Sequence, residues 1–318
     1  MSFLNLTMTA TVIKANCNGC KLWLRISTII LCCASPFAVS QQLFDDLATL
    51  TSPAHAGRSA GSDEPNLSAQ FLFARFTQLG LQTEYQRFSF KTGFTSEATG
   101  HNVVAKLPCN TPRCGKAIVV SAHYDHLGTK GSKIYAGAND NASGTAALLA
   151  LAQQLKTAKR YYPIILLATD AEEKGLHGAK HYASKINSTE YALNINLDML
   201  ALNQKSTLYV MHSRTAKPYV EVLARLPVHD FKLKLASSPQ RMRRLVGTER
   251  VDWLKASDHY AFHKAGLPYL YFGMGEDKHH HSVKDTLEQI DFKKYQHVVN
   301  FINDFIVALL DCPLDCTS

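Results

Sequence analysis

The middle of the chain contains three apolar segments of strand length: AIVVSA at residues 117–122, PIILLAT at 163–169 and ALNINL at 192–197. Two segments with helical spacing of apolar residues, 142–156 and 175–186, separate them. This alternation of strand and helix predicts a parallel sheet that is covered by helices on both faces. We therefore expect an α/β protein with a three-layer α/β/α architecture.

Strands of a different kind are predicted outside this centre. Residues 81–91 alternate polar and apolar side chains, as a half-exposed strand does, and 100–107 follow as the next strand. These two segments favour an antiparallel edge and so a mixed, mainly parallel central sheet. Short strands are expected at 207–211 and 267–272, whereas 227–255 is polar, basic and predicted to be irregular. Further helices are predicted at 41–50, 66–79, 216–226, 257–265 with Ser257 as its N-cap, and 292–310.

The first 40 residues have the features of an export signal. Lys21 and Arg25 precede an apolar stretch at 26–39, and Ala38-Val39-Ser40 is a small-x-small cleavage site. We predict a signal peptide at 1–40 and a single domain at 41–318, exported to the periplasm or outside the cell. The alternative is that the apolar stretch is retained as a membrane anchor, which would give the protein a membrane partner that it otherwise lacks.

The cysteines outside this signal form two close pairs, Cys109/Cys114 and Cys312/Cys316. An even number of cysteines in tight pairs is typical of disulfides in an oxidising compartment. Pairing within each close pair is the simplest of the three possible connectivities.

The charge of the chain is a mild excess of basic residues. Its formal net charge is +8, and removing Lys14, Lys21 and Arg25 with the signal leaves 8 − 3 = +5. No dense basic block is interleaved with aromatic residues, which disfavours nucleic-acid binding. The basic segment at 240–250 is either a solvated surface loop or a wall of a substrate cleft that favours acidic peptides.

Metal-type ligands come directly after each of the three central strands. His123 and Asp125 follow the first strand, Glu172 and Glu173 the second, and Asp198 the third. Because ligands gather at the carboxyl ends of parallel strands, these side chains are expected at one edge of the sheet. Loops add two more donors, and the full set is His123, Asp140, Glu173, Asp198 and His281. Two imidazoles and three carboxylates suit zinc, and five donors suffice for two ions if one carboxylate bridges.

Each residue has an ordinary structural explanation when it is taken alone. His123 is then a core histidine, Asp140 a helix cap or turn residue, and Asp198 a turn after a strand. Glu172 and Glu173 are then a solvated helix start that the helix dipole favours. Their joint occurrence at strand ends favours a metal site instead.

The motifs around these residues resemble those of the zinc aminopeptidases of peptidase family M28. The similarity runs from about residue 57 to 290 and also includes Ser257-Asp258-His259. The densest matches are His123-Tyr124-Asp125, Asp140-Asn141-Ala142-Ser143-Gly144, Glu172-Glu173-Lys174-Gly175-Leu176-His177-Gly178, Asn196-Leu197-Asp198 and His281-Ser282-Val283-Lys284-Asp285-Thr286.

The resemblance implies a role for each matching residue. Asp140 would bridge two zinc ions, with His123 and Asp198 on one ion and Glu173 and His281 on the other. Glu172 would be the general base. Asp125 lies two residues after His123 and could accept the second ring N–H of that histidine. Among the three consecutive histidines, the spacing to Asp285 selects His281.

The implied activity is hydrolysis of N-terminal residues from peptides that have a free N-terminus. A glutaminyl cyclase, which uses one zinc ion to form pyroglutamate on a similar fold, is the first alternative. A non-catalytic, peptidase-like binding module is the second, and a dipeptidase or carboxypeptidase with related metal geometry is the third. The oligomeric state stays open.

Overall fold

Eight strands form one mixed sheet in the order β1-β2-β6-β3-β7-β10-β8-β9, and β4 and β5 pair separately. A computed structural model describes residues 36–201 and 206–311. The strands are β1 Gln82–Lys91, β2 Glu97–Leu107, β3 Ala117–His123, β4 Thr129–Lys130, β5 Lys133–Ile134, β6 Ile164–Thr169, β7 Tyr191–Leu197, β8 Thr207–His212, β9 Lys232–Ala236 and β10 Tyr269–Gly273. The helices are α1 Pro36–Thr51, α2 Leu67–Gln78, α3 Gly144–Leu155, α4 His177–Ala183, α5 Lys217–Leu223, α6 Pro239–Val246, α7 His259–Lys264 and α8 Phe292–Leu310.

The centre of the sheet is parallel. The strands β6, β3, β7 and β10 run side by side in the same direction. The hairpin of β1 and β2 adds an antiparallel edge, and β8 pairs antiparallel with β10 on the other side. The predicted mixed, mainly parallel sheet is therefore confirmed.

Helices cover both faces because the central strands are apolar on both faces. Along β3, Ile118 and Val120 pack with α1, α2, α3 and α8, whereas Val119 packs with α4 and α7. Alternate residues of a strand point to opposite faces, so one apolar run supplies two cores. The three-layer α/β/α prediction is confirmed.

The prediction of an irregular segment at 227–255 is wrong. It contains β9, the outer strand of the sheet, and α6. The local signals were present: Ser238 accepts the backbone N–H of Arg241, Pro239 begins the helix, and Gly247 ends it in a left-handed conformation. The basic residues of α6 hid them, because a short helix that buries only Met242 shows little apolar periodicity.

The predicted cap at Ser257 is also wrong. The helix α7 begins at His259, and Ser257 Oγ instead accepts a hydrogen bond of 2.7 Å from Asn196 Nδ2 on β7. Asn196 Oδ1 in turn accepts from Ser121 Oγ on β3 at 2.9 Å. This buried polar chain ties the segment before α7 to the two central strands.

Two predictions fall largely outside the described residues. Residues 1–35 of the predicted signal peptide lie there, and α1 begins at Pro36, before the predicted cleavage site. The Cys312/Cys316 pair also lies outside, whereas Cys109 and Cys114 form the predicted disulfide. Among the described residues, no helix has both the length and the hydropathy that crossing a bilayer requires.

Candidate metal centre

Three neighbouring strands end at the same edge of the sheet and deliver acidic and imidazole side chains there. β3 ends at His123, β6 is followed by Glu172 and Glu173, and β7 is followed by Asp198. The strands are adjacent and parallel, so their carboxyl ends meet. The site therefore lies where open α/β sheets hold their ligands.

Asp140 reaches this edge from the segment between β5 and α3, and two charged residues hold that segment. The carboxylate of Asp285 accepts the backbone N–H of Asn139 at 2.8 Å and of Asp140 at 3.0 Å. The guanidinium of Arg58 donates to the carbonyls of Ala136 at 2.6 Å and Gly137 at 2.8 Å. The backbone that leads to Asp140 is thus held through its N–H and C=O groups.

The first donor group lies on the Oδ1 side of Asp140. His123 Nε2 is 3.5 Å from Asp140 Oδ1 and 3.4 Å from Asp198 Oδ1. All three residues are buried. Their ligand atoms lie within 4.8 Å of one another, close enough to share one cation.

The second donor group lies on the Oδ2 side of Asp140 and is richer in histidine. His281 Nε2 is 3.2 Å from Asp140 Oδ2 and 3.1 Å from Glu173 Oε2. His280 Nε2 is also 3.2 Å from Asp140 Oδ2. His126 Nδ1 lies 2.8 Å from the other carboxylate oxygen of Glu173. The structure thus brings together all five predicted ligands and adds His126 and His280.

Two of these polar atoms are buried and make no hydrogen bond within the described parts of the chain. They are His126 Nε2 and Asp198 Oδ1, although His123 Nε2 lies 3.4 Å from Asp198 Oδ1. Burying an unpaired polar atom costs about 1–3 kcal/mol, so such atoms normally face a ligand, an ion or water. Carboxylate and imidazole donors without thiolates suit zinc. The residues present therefore fit a divalent metal.

Opposite charges within the second donor group stabilise each other. Burial alone would raise the pKa of Asp140, but hydrogen bonds from His280 and His281 hold it well below its usual range. The same bonding to Asp140 and Glu173 raises the pKa of His281 to about 10. Burial is likewise outweighed at Glu173, where His126 and His281 lower the pKa to about 2. The carboxylates of this group are thus paired with imidazole groups that stabilise their negative charge.

Asp125 holds the two glutamates rather than acting on His123 through its carboxylate alone. Its carboxylate accepts the backbone N–H of Glu172 at 3.0 Å and of Glu173 at 3.2 Å. His123 Nδ1 lies 3.2 Å from the backbone carbonyl of Asp125 and 3.7 Å from its carboxylate. The carbonyl is the closer acceptor for the ring N–H, so Asp125 orients both His123 and the glutamate pair.

Glu172 lines the cleft, and its surroundings favour the protonated form of its carboxyl group. It lines the same cleft as His123, Asp140 and Asp198. Burial, together with the neighbouring charges of Asp258 and Asp198, raises the pKa of Glu172 well above its usual range. A carboxylate with a raised pKa is a better proton acceptor.

The cleft has a volume of about 310 Å³, and part of its wall is apolar. The apolar residues of this wall are Leu176, Met199, Val251, Trp253, Ala256 and Tyr271. None of residues 240–250 lines the cleft, so the interpretation of that segment as a substrate wall is wrong. The cation of the lining that does not belong to the donor groups is Lys255.

The sequence-based prediction gave no role in the site to Arg58, His126, His280 or Asp285. His280 entered only as a member of the histidine triplet, and Asp285 only in the motif that selects His281. Arg58 is 1% exposed and lies in a Gly/Ser-rich loop where a buried arginine has no local signal. Its guanidinium also donates to the carbonyls of Tyr124 and Leu50. His126 did have a signal, because it lies three residues after His123 in a short loop.

The chain matches the description "Peptidase family M28" over residues 102–306, which is more than half of its length. The chain belongs to peptidase family M28. The resemblance seen in the sequence motifs is therefore confirmed.

The curated and solved relatives agree with this membership. Aminopeptidase YwaD of Bacillus subtilis (strain 168) is 28% identical over 220 residues, covering 66% of this chain and 44% of that protein. The chain spans about half or less of the first curated relatives that it matches.

Two solved structures share the fold. BSAP, a zinc aminopeptidase from Bacillus subtilis, superposes with a TM-score of 0.68 at 16% identity, covering 84% of this chain and 94% of that one. The glutaminyl cyclase of Porphyromonas gingivalis gives 0.63 at 17% identity, covering 84% and 97%. At such identities the likeness concerns the fold alone.

Proposed function

We propose that this M28 protein is a zinc-dependent aminopeptidase that binds two zinc ions and removes N-terminal residues from peptides. One observation carries the proposal: three groups of metal-type donors lie around a single carboxylate, Asp140, beside Glu172 in one cleft. His123 and Asp198 would hold one ion, and Glu173 and His281 the other. Asp140 would be shared between them.

The proposed roles of zinc and of Glu172 follow from their charges. Bound zinc supplies Lewis acidity, which lowers the pKa of water towards 7 and polarises a carbonyl. Glu172 accepts a proton from the attacking water as its oxygen bonds to the scissile carbonyl carbon. Glu172 then returns the proton to the leaving amine as the carbon–nitrogen bond breaks. The free α-amine of the substrate would dock beside the carboxylates of the cleft, which accounts for removal of terminal residues.

The substitution Glu172→Gln tests the base. We expect kcat on aminoacyl-p-nitroanilides to fall by about 10²–10⁴-fold, the usual contribution of a general base. Zinc content should stay unchanged, because Glu172 is not one of the proposed ligands. Glu221→Gln, on the exposed face of α5, is the matched control. Full activity of Glu172→Gln would refute the assignment.

A glutaminyl cyclase remains the second candidate because one of the fold relatives is such an enzyme. The donor set on the Oδ2 side of Asp140 favours the aminopeptidase, because an enzyme that binds one zinc ion does not need a second complete set of metal ligands. Metal analysis after gel filtration separates them: two zinc ions per chain support the peptidase, and one ion with pyroglutamate formation from an N-terminal glutaminyl peptide supports the cyclase.

We also propose that the protein is exported. The Cys109–Cys114 disulfide supports this, because disulfides persist in oxidising compartments. N-terminal sequencing of the protein from its native compartment would test whether cleavage follows Ser40. Recovery of the intact N-terminus in the membrane fraction would favour an anchor instead.

A further inference from the structure

Peptide hydrolysis places a negative charge on the carbonyl oxygen when the water oxygen bonds to the carbonyl carbon. Hydrogen-bond donors aimed at that oxygen contribute much of the rate in many hydrolases. The cleft of this protein is lined by Asp140, Glu172, Glu173 and Asp198, which donate nothing when ionised. A neutral donor beside them would add to the stabilisation of that oxygen that bound zinc supplies.

Tyr271 offers such a donor from the wall of the cleft. It lies on β10, next to the strand that leads to Asp198, and its side chain is 3% exposed. The position that a Cβ atom on Gly273 would occupy is 2.6 Å from Tyr271 Oη and 2.7 Å from the Asp198 carbonyl oxygen. The ring therefore leans along β10 towards the carboxyl end of the sheet, and its hydroxyl lies beside Asp198.

The ring of Tyr271 is held in place by two neighbours. Its centroid is 6.2 Å from that of Trp253 and 5.1 Å from that of His259, both at steep interplanar angles. His259 Nε2 lies 3.1 Å from the carbonyl oxygen of Trp253, so the two neighbours are tied to each other. A donor that is fixed before the reaction loses little free energy to reorganisation during it.

The hydroxyl of Tyr271 is also free to bind substrate. It makes no hydrogen bond to any residue in the described part of the chain. Of the other donors that line the cleft, His280 and His281 face Asp140, and Lys255 lies 3.7 Å from Asp252. The indole N–H of Trp253 is buried and has no hydrogen-bond partner among the described residues.

We propose that Tyr271 donates a hydrogen bond from Oη to the carbonyl oxygen of the scissile bond as that oxygen gains the electron pair. This makes Tyr271 a catalytic residue of the proposed aminopeptidase, on which the inference rests. The hydroxyl keeps its proton throughout, and the charge returns to the leaving nitrogen when the carbon–nitrogen bond breaks.

The substitution Tyr271→Phe removes the hydroxyl and keeps the ring between Trp253 and His259. With zinc supplied, we expect kcat on aminoacyl-p-nitroanilides to fall by about 10²-fold, the usual effect of losing one such donor, with KM changed less than about threefold. Tyr269→Phe is the matched control, because Tyr269 lies two residues earlier on β10, packs on the same His259 ring and does not line the cleft. It should leave both constants unchanged.

A binding measurement separates this role from a structural one. An α-aminophosphonate mimics the charged oxygen, whereas the free amino acid product does not. Calorimetry should show that Tyr271→Phe weakens phosphonate binding by about 10-fold or more and leaves product binding unchanged, as a donor specific to the transition state requires. Equal weakening of both ligands, or none, would overturn the assignment.

Kinetics distinguish failure of the Tyr271 proposal from failure of the aminopeptidase proposal. An active wild-type protein with a fully active Tyr271→Phe variant removes Tyr271 from the mechanism and leaves the aminopeptidase proposal intact. A wild-type protein that cleaves no N-terminal residue refutes the proposed function, and the role of Tyr271 falls with it.

Discussion

The two sides of Asp140 are built differently. On the Oδ1 side, His123 and Asp198 extend from the ends of central strands, and their side chains are 2% and 7% exposed. On the Oδ2 side, His280 and His281 come from the loop after β10, and their side chains are 40% and 44% exposed. The first group is held by the sheet. In the second group, His280 and His281 are held only by a surface loop.

The supporting contacts follow the same division. The carbonyl of His123 accepts a hydrogen bond from Thr145 at 2.8 Å, and the N–H of Asp198 donates to Phe272 at 3.0 Å. The loop histidines are supported by short turns, such as Ser282 Oγ donating to the His279 carbonyl. Ordering mobile side chains costs free energy on binding. We expect the Oδ1 side to bind its ion more tightly than the Oδ2 side.

Asp140→Asn gives the largest expected effect because it reaches both sides. Losing an outer-shell partner of a metal ligand usually costs 10–100-fold in affinity, so replacing a shared ligand should cost about 100-fold or more in both binding steps. Competition with a zinc-sensitive chelator measures both constants.

A buried aspartate elsewhere provides the control for that change. Asp46 on α1 is buried and paired with Arg75 at 2.8 Å, away from the cleft. Asp46→Asn should lower thermal stability without changing zinc affinity. If Asp140→Asn weakened only one of the two steps, Asp140 would not be shared.

His281→Ala gives the next largest effect and distinguishes the two sides. It should weaken the second zinc step by about 100-fold, because a ligand is lost, and leave the first step within about threefold. His280→Ala is the matched variant from the same loop. It should weaken the second step by less than about 10-fold, since His280 approaches Asp140 but not Glu173. Reversed magnitudes would make His280 the ligand.

The smallest effect concerns the zinc-free protein and its response to pH. The folded pKa of His281 is about 10, raised from 6.5 by its hydrogen bonds to Asp140 and Glu173. A raised pKa contributes stability that is complete below pH 6.5 and is lost as the pH rises through about 10. The half-exposed ring makes this contribution small.

Thermal midpoints of chelator-treated protein provide the measurement. Between pH 6.5 and about 10, the midpoint of the wild type should fall by more than that of His281→Ala. An equal fall in the two proteins would show that the His281 contacts do not stabilise the zinc-free state.

The same contrast explains which parts of the site could be predicted. His123, Glu172, Glu173 and Asp198 follow apolar strands, and the topology of parallel strands brings their ends together. Asp140 and His281 were found through their motifs. Arg58 and Asp285 hold the Asp140 segment through backbone groups, and no residue type is specific to such contacts. For that reason Arg58 had no role in the sequence-based prediction, and Asp285 appeared there only in the motif that selects His281.

Errors in the fold prediction have a comparable origin. Helix α6 has a cap, a proline and a terminal glycine, yet its basic face outweighed these signals in a search for apolar periodicity. Serine is a common N-cap residue, but in the folded protein Ser257 accepts a hydrogen bond from Asn196 instead. A side chain that can satisfy two partners takes the one that the tertiary structure brings near.

The order of apolar and polar residues along the chain predicted the three layers, the parallel centre of the sheet and the edge that carries the metal-type donors. It could do so because apolar periodicity and the succession of strands and helices are properties of short segments. Three features of the site could be seen only in the folded chain. His126 and His280 lie beside the predicted donors, and Arg58 and Asp285 hold the Asp140 segment. The hydroxyl of Tyr271 lies beside Asp198. Each depends on distances between residues far apart in sequence, and those distances arise only when the core packs.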